Sequence, residues 1–194
     1  SNLKHHQRSH DEKLIQERQK ITEQNRKEKK QFKTDLINIA KPVLEQIRNK
    51  SIDLTERIEN YFLFGNIITG MNITNKMLKF IKEFGIDIDI GSSPLGYASA
   101  LVYNNGMYYN SVITQDDIAT TFGIKSHTVS KYHKIVYPKC IEFYEKNRDI
   151  SEHYVYANKY DSIYAFKDIG IIFNEIEKIK SRYNKPTDKS ESES

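Results

Sequence analysis

The chain has 194 residues, a net charge of +4 from 30 Lys or Arg and 26 Asp or Glu, and a hydrophobic fraction of 38%. This length suits one ordinary domain with helical extensions and excludes two large enzyme domains. Its single cysteine excludes an internal disulfide framework or a Cys-rich zinc ribbon, and favours an intracellular location. No run of about eighteen apolar residues is present, so we expect neither a membrane span nor a secretory signal.

The N-terminal end carries the positive charge. Residues 1–34 hold ten Lys or Arg against five Asp or Glu, whereas the rest of the chain holds 20 basic and 21 acidic residues. From Asp11 to Lys33 nearly every residue favours a helix, and large apolar side chains are few. The pattern therefore predicts a basic helix or arm. A coiled coil is less favoured, because the heptad between Leu14 and Ile21 is not sustained.

Three amphipathic helices are predicted next, because apolar residues recur at three- and four-residue spacings. Within the first, Pro42 predicts a kink or a new helix start. Asn72 or Thr74 is expected to cap the third, Gly85 is expected to end it, and the alternating residues 86–90 favour an extended connector. The predicted helices span residues 35–48, 54–64 and 74–84.

A central helix is predicted after residue 92. Ser92 and Ser93 precede Pro94, which is a hydroxyl cap followed by the imino acid at the first helical position. The helix that follows runs to Tyr103, and small side chains dominate its first half. Because small residues allow backbones to approach closely, we expect this helix to be surrounded by its neighbours.

The next segment has the spacing of two helices joined by a tight turn. Thr114 and Asp117 form a capping-box pattern at the start of the first helix. Ala119 allows close crossing, Gly123 permits a left-handed turn, and Val129 is expected to fix the second helix against the first. Many helix pairs without a nucleic-acid role meet the same steric demands.

The polarity of the second helix favours a nucleic-acid contact. We expect Val129, Tyr132 and Ile135 to face inward, and Asp116 and Asp117 to lie away from the contact surface. The outward residues are hydrogen-bonding or cationic side chains suited to phosphates and base edges. They are Ser126, His127, Thr128, Ser130, Lys131 and Lys134.

The string from Ser92 to Val136 resembles the cyclin-like repeat of transcription factor IIB and its archaeal counterparts, over about a quarter of the chain. The resemblance implies a five-helix bundle that contacts duplex DNA through its fourth and fifth helices. The matching positions are Ser93, Pro94, Ala98, Ala100, Tyr103, Thr114, Gln115, Ile118, Ala119, Gly123, Ile124, Thr128 and Val129.

Four departures limit what the resemblance implies. Ser130 stands where the family has an arginine, and His133 where it has a tyrosine. One repeat is present instead of two, and Cys140 alone cannot build the family's zinc ribbon. A single-repeat relative therefore fits better than a complete general initiation factor.

Other chemical constellations are explained more simply by structural roles. His6 and His10 have helical metal-ligand spacing but lack a supporting shell. Cys140 with His133 or His153 lacks an oxyanion motif, and a buried structural cysteine is the commoner case. The acidic pairs at residues 87 and 89 and at residues 116 and 117 fit connector and cap roles, and no phosphate-cradling glycine loop is present. We expect no enzyme activity, cofactor or metal.

The C-terminal part is expected to form an aromatic, amphipathic helix. Tyrosines recur between Ser151 and Tyr164, and an apolar stripe follows through Phe166, Ile169, Phe173, Ile176, Ile179 and Tyr183. Packing on the bundle is the favoured interpretation, with a protein partner or homodimer as the alternative. The last ten residues lack apolar side chains and are expected to be disordered.

Together these patterns predict an all-α, cyclin-like five-helix bundle containing a helix-turn-helix, with a basic N-terminal helix and an amphipathic C-terminal helix. The expected function is duplex-DNA binding in transcription or its regulation; the alternative is a non-catalytic cyclin-like adaptor that binds protein. Arg26, Lys27, Lys29 and Lys30 of the arm are expected to add phosphate contacts. The predicted regions are residues 1–34, 35–148, 149–184 and 185–194.

Overall fold

A computed structural model describes residues 2–71, 73–87, 93–108, 113–147 and 169–184. Every regular element in these ranges is an α-helix, which confirms the all-α class for this part of the chain. Within the same ranges, no helix combines the length and the apolar composition needed to cross a membrane. The helices are α1 (Asn2–Asn49), α2 (Leu54–Thr69), α3 (Asn75–Asp87), α4 (Pro94–Tyr108), α5 (Gln115–Phe122), α6 (Ser126–Lys146) and α7 (Ile169–Tyr183).

Helix α1 passes through both compact units of the chain, which divide between Leu36 and Ile37. In the first unit, residues 2–28 are exposed throughout, as expected for a solvated basic helix. In the second unit, Ala40, Val43 and Ile47 of the same helix are buried. The helix continues through Pro42, so the alternative of a new helix start at this residue is wrong.

Helix α4 lies at the centre of the second unit, in contact with α2, α5 and α6. Its small residues allow this arrangement: Ala98 and Ala100 are fully buried, and a Cβ atom at Gly96 would meet the Tyr132 ring of α6. The predicted central helix with close neighbours is therefore confirmed.

A polar network inside the core links α2, α4 and α6. The Asn105 side-chain amide donates a hydrogen bond of 3.1 Å to Asn66 Oδ1, and Asn66 Nδ2 donates to the Phe62 carbonyl oxygen at 2.8 Å. The Tyr144 hydroxyl of α6 donates a hydrogen bond of 3.5 Å to Asn105 Oδ1, and the Tyr144 ring stacks on Tyr108 with centroids 3.7 Å apart. Because buried polar groups are costly without partners, these contacts favour one alignment of the three helices over any sliding alternative.

Helix α7 packs against α2, which is the favoured of the two sequence interpretations. Its buried stripe consists of Ile172, Ile176, Ile179 and Tyr183, and Asn60 of α2 donates a hydrogen bond to the Tyr183 hydroxyl oxygen. Phe173 was expected in this stripe, but it is 39% exposed because Ile172 takes the inward position.

Two predicted helix boundaries have different outcomes. Ser93 Oγ accepts a hydrogen bond of 3.2 Å from the Gly96 amide, and Pro94 begins α4, so this start is confirmed. Gly85 does not end α3, which runs on to Asp87. Residues 86 and 87 therefore belong to a helix instead of an extended connector. The expectations for Asn72, residues 88–90 of the connector, Ser92, the tyrosine-rich segment 151–164, Phe166, the side chain of Ile169 and the tail 185–194 lie outside the described residues.

Candidate nucleic-acid interface

Helix α5 starts at the predicted capping box. The Thr114 side chain accepts a hydrogen bond from the Asp117 amide, and the Asp117 carboxylate accepts one from the Thr114 amide, both at 3.1 Å. These two bonds satisfy backbone amides that a helix start leaves without internal partners. The capping box thus defines where this eight-residue helix begins.

A three-residue turn connects α5 to α6. Gly123 has φ +65° and ψ +35°, in the left-handed region, and the Ile124 amide donates to the Ala119 carbonyl oxygen at 3.0 Å. A side chain is disfavoured at this backbone conformation, which explains the glycine. The turn then leads to α6 at Ser126.

The inner face of α6 fixes the helix on the bundle. Val129 and Val136 are fully buried, and Tyr132 is 4% exposed. The Tyr132 ring packs edge-on against Tyr97, with ring centroids 4.7 Å apart. Ile135 was expected to face inward, but it is 47% exposed, because the inward stripe continues from Tyr132 to Val136 with the four-residue step of a helix.

The outer face carries four of the six residues predicted for the second helix. His127, Ser130, Lys131 and Lys134 follow the i, i+3, i+4, i+7 spacing of one helical face, and three of them are exposed while Ser130 is half-buried. From the first to the last, the backbone advances roughly 10 Å. The half-buried Thr128 lies on one flank of this face. Hereafter, the outer face means His127, Ser130, Lys131 and Lys134.

Positive charge dominates the first part of α6. From residue 125 to residue 139 the chain has four lysines and no acidic residue. The Lys131 ammonium lies 5.7 Å from the centroid of the neighbouring Tyr132 ring, within the range of a cation–π contact. The outer face can therefore offer cationic and hydrogen-bonding groups to an anionic surface.

Ser126 differs from the other five residues. Its hydroxyl donates a hydrogen bond to the Asp116 carboxylate. Asp116 was expected to lie away from the contact surface, but the turn brings its carboxylate to the first residue of α6. This places a negative charge at one end of the outer face and engages the Ser126 hydroxyl in a hydrogen bond within the chain.

His133 and Cys140 have packing roles in this structure. His133 Nδ1 lies 3.0 Å from the Asn104 side-chain amide nitrogen, which is a donor, so the contact needs an unprotonated Nδ1. Burial lowers the pKa of His133 below its ordinary value. Burial also raises the pKa of the Cys140 thiol to about 12, which disfavours the reactive thiolate.

The four arm residues lie in the first compact unit, which ends at Leu36. Arg26, Lys27 and Lys30 are exposed, and Lys29 is half-buried. At 100° per residue, the four side chains span roughly 160° of the helix circumference. A broad cationic surface of this kind suits phosphates without a preferred orientation.

The sequence did not predict that Asp116 lies beside the candidate interface. The signal was its position ten residues before Ser126, across a turn short enough to return the chain on itself. Among the described residues, no group of three or more His, Cys, Asp or Glu is placed to hold a metal ion. Comparison with protein-family models, with curated proteins and with solved structures finds no match.

Proposed function

We propose that residues 35–148 form a single cyclin-like repeat that binds duplex DNA through α5 and α6, and that the protein acts in transcription or its regulation. The observation that carries the proposal is the outer face of α6, where cationic and hydrogen-bonding side chains stand on a helix held rigidly from behind. Rigid support favours specific contacts, because the side chains are positioned before DNA arrives.

The dimensions of the outer face suit the major groove. A groove about 12 Å wide admits one α-helix, and helix-turn-helix proteins read base edges with the first turns of the second helix. His127, Ser130 and Lys131 occupy these turns in α6. Lys134, one turn further, is assigned to a phosphate, and the arm lysines and arginine to sequence-independent phosphate contacts.

Asp116 is expected to weaken the attraction between the outer face and DNA. Its carboxylate lies at the start of α6, where a phosphate would otherwise meet the positive end of the helix dipole. Asp116→Asn removes the negative charge but keeps a side-chain oxygen that can accept the hydrogen bond from the Ser126 hydroxyl. This variant is expected to bind duplex DNA several-fold more tightly at low salt, with the difference reduced at high salt.

The test compares two double charge reversals in the full chain by fluorescence anisotropy with a labelled random duplex. Lys131→Glu/Lys134→Glu changes the outer face, whereas Lys79→Glu/Lys139→Glu makes the same charge change at other exposed lysines. We expect a loss of at least about tenfold in affinity for the first variant and a much smaller loss for the second. Equal affinities in the two variants, with both folded by circular dichroism, would contradict the proposal.

The alternative function is a non-catalytic adaptor that binds protein through the bundle. It is favoured by Ile135 and Tyr137 of α6, which are 47% and 43% exposed. The two functions differ in their dependence on nucleic acid. An adaptor would show no salt-sensitive duplex binding, and its protein complex would survive nuclease treatment.

A further inference from the structure

A groove with an aromatic floor lies between α3 and the second half of α6. Its volume is about 600 Å³, within the range of ligand-binding clefts. Lys76, Lys79 and Phe80 of α3 line one side, and Lys139, Phe143 and Lys146 of α6 line the other. We call this feature the α3–α6 groove. Its α6 residues lie beyond the outer face, in the C-terminal half of the helix.

Aromatic rings bridge the two helices beneath the groove. Phe80 and Phe143 stack with ring centroids 4.4 Å apart, and Phe84 packs behind Phe80 at 5.4 Å. Phe84 is buried, but Phe80 and Phe143 are only half-buried. The floor therefore keeps exposed aromatic surface that a bound apolar side chain would remove from water.

Positive charge predominates around this floor, with four lysines against two glutamates. Glu142 is paired with Lys146 at 2.7 Å, so the charges of these two residues largely cancel. The Lys139 ammonium lies 5.1 Å from the centroid of the Phe84 ring, which brings positive charge next to the apolar surface. The groove thus combines an apolar centre with a cationic border.

We propose that the α3–α6 groove docks an acidic amphipathic segment of a partner protein. An aromatic or large aliphatic side chain of the segment packs on Phe80 and Phe143, and its flanking carboxylates face Lys79 and Lys139. Apolar anchors at helical spacing bind such grooves in other helix-in-groove complexes, and opposite charges fix the orientation. Single-stranded nucleic acid, whose bases can also stack on exposed aromatic rings, is the competing occupant that the experiment distinguishes.

The test uses three labelled peptides of about sixteen residues and the full chain. The first carries Phe and Leu anchors at helical spacing with Glu on the opposite face. The second has Gln for every Glu, and the third has Ala for every anchor. We expect the first to bind in fluorescence anisotropy and the other two to bind at least about tenfold more weakly.

Two charge-matched protein variants locate the site. Lys79→Glu/Lys139→Glu is expected to weaken the acidic peptide at least about tenfold, whereas Lys131→Glu/Lys134→Glu on the outer face leaves it nearly unchanged. The two variants also distinguish peptide docking from DNA binding, because DNA binding is expected to be weakened mainly by Lys131→Glu/Lys134→Glu. Circular dichroism and thermal unfolding establish that both variants fold.

Several results would overturn the proposal. These are no binding of the acidic peptide up to about 1 mM, equal binding of the Gln or Ala peptide, or equal losses in the two protein variants. If single-stranded DNA displaces the peptide from the Lys131→Glu/Lys134→Glu variant, the groove binds nucleic acid instead. If the full chain forms a dimer that only Lys79→Glu/Lys139→Glu dissociates, the α3–α6 groove binds a second copy of the chain.

Discussion

The contact between Gly96 and Tyr132 provides a direct test of how α4 holds α6. A Cβ atom at residue 96 would lie 2.4 Å from both Cδ2 and Cε2 of the Tyr132 ring, far inside ordinary van der Waals contact. The ring cannot swing away easily, because Tyr97 packs on it and its hydroxyl accepts a hydrogen bond of 3.2 Å from the Ser93 amide. Gly96→Ala must therefore separate α4 from α6.

The expected cost follows from two opposing effects. Forcing a methyl group into a packed core typically costs about 1–3 kcal/mol. Alanine is favoured over glycine inside a helix by about 1 kcal/mol, and less in the first turn, where Gly96 lies. We therefore expect Gly96→Ala to lower the free energy of unfolding by about 1–2 kcal/mol, measured by urea denaturation of the full chain.

Gly106→Ala is the matched control in the same helix. The atoms nearest to its new Cβ would lie 3.6–3.8 Å away, which is ordinary contact. This variant is expected to be neutral or more stable by up to about 1 kcal/mol. A double-mutant cycle with Tyr132→Leu should recover part of the Gly96→Ala loss, because the smaller side chain leaves room. A Gly96→Ala protein as stable as Gly106→Ala would refute the reasoning.

Three further predictions concern the turn, the half-buried histidine and the thiol. Gly123→Ala should lower the free energy of unfolding by about 1–2 kcal/mol and Gly123→Asn by less, because asparagine tolerates the left-handed conformation; equal losses in urea denaturation would contradict this. Burial lowers the pKa of His133 below 6.5, so the unfolded chain binds the proton more readily than the folded chain. The stability that this residue contributes is therefore present above pH 6.5 and is lost as the pH falls through the lowered pKa. His133→Gln should flatten the decline of unfolding free energy below pH 6.5, and an unchanged slope would argue against a buried neutral ring. Cys140, with a pKa of about 12, should react slowly with iodoacetamide at pH 8 in the native protein and rapidly in urea; fast native labelling would show that the thiol is accessible.

Local signals in the sequence predicted local structure well. The capping box at Thr114 and Asp117 and the left-handed Gly123 follow from hydrogen bonding and backbone sterics over a few residues, so no knowledge of the rest of the fold was needed. The small residues of α4 similarly predicted close packing, although the tyrosine that fills the space beside Gly96 is 36 residues away in sequence.

Features that depend on the relative placement of helices were harder to predict. Ile135 and Val136 are adjacent apolar residues, and only the packing of α6 on α4 determines which one is buried. Asp116 and Ser126 meet because the turn sets the angle between two helices. Gly85 was expected to end α3, but a glycine ends a helix only where its backbone adopts the left-handed conformation, and α3 continues to Asp87.

The α3–α6 groove also depends on tertiary structure. Phe80 and Phe143 are 63 positions apart, and neither helix pattern alone indicates that their rings stack. In the sequence, the lysines of α3 and α6 that line the groove look like ordinary solvent-exposed residues. Their significance comes only from standing around exposed aromatic surface, which the folded chain brings together.

The salt dependence of duplex binding tests the central claim most directly. Affinity of the full chain for a random duplex is measured across a salt series and compared with that of Lys131→Gln/Lys134→Gln. Because Lys134 is the residue assigned to a phosphate, the slope of log affinity against log salt should fall in magnitude by about 0.9 in the variant. An identical slope, or no salt-sensitive binding of the unmodified chain, would contradict DNA recognition through the outer face of α6.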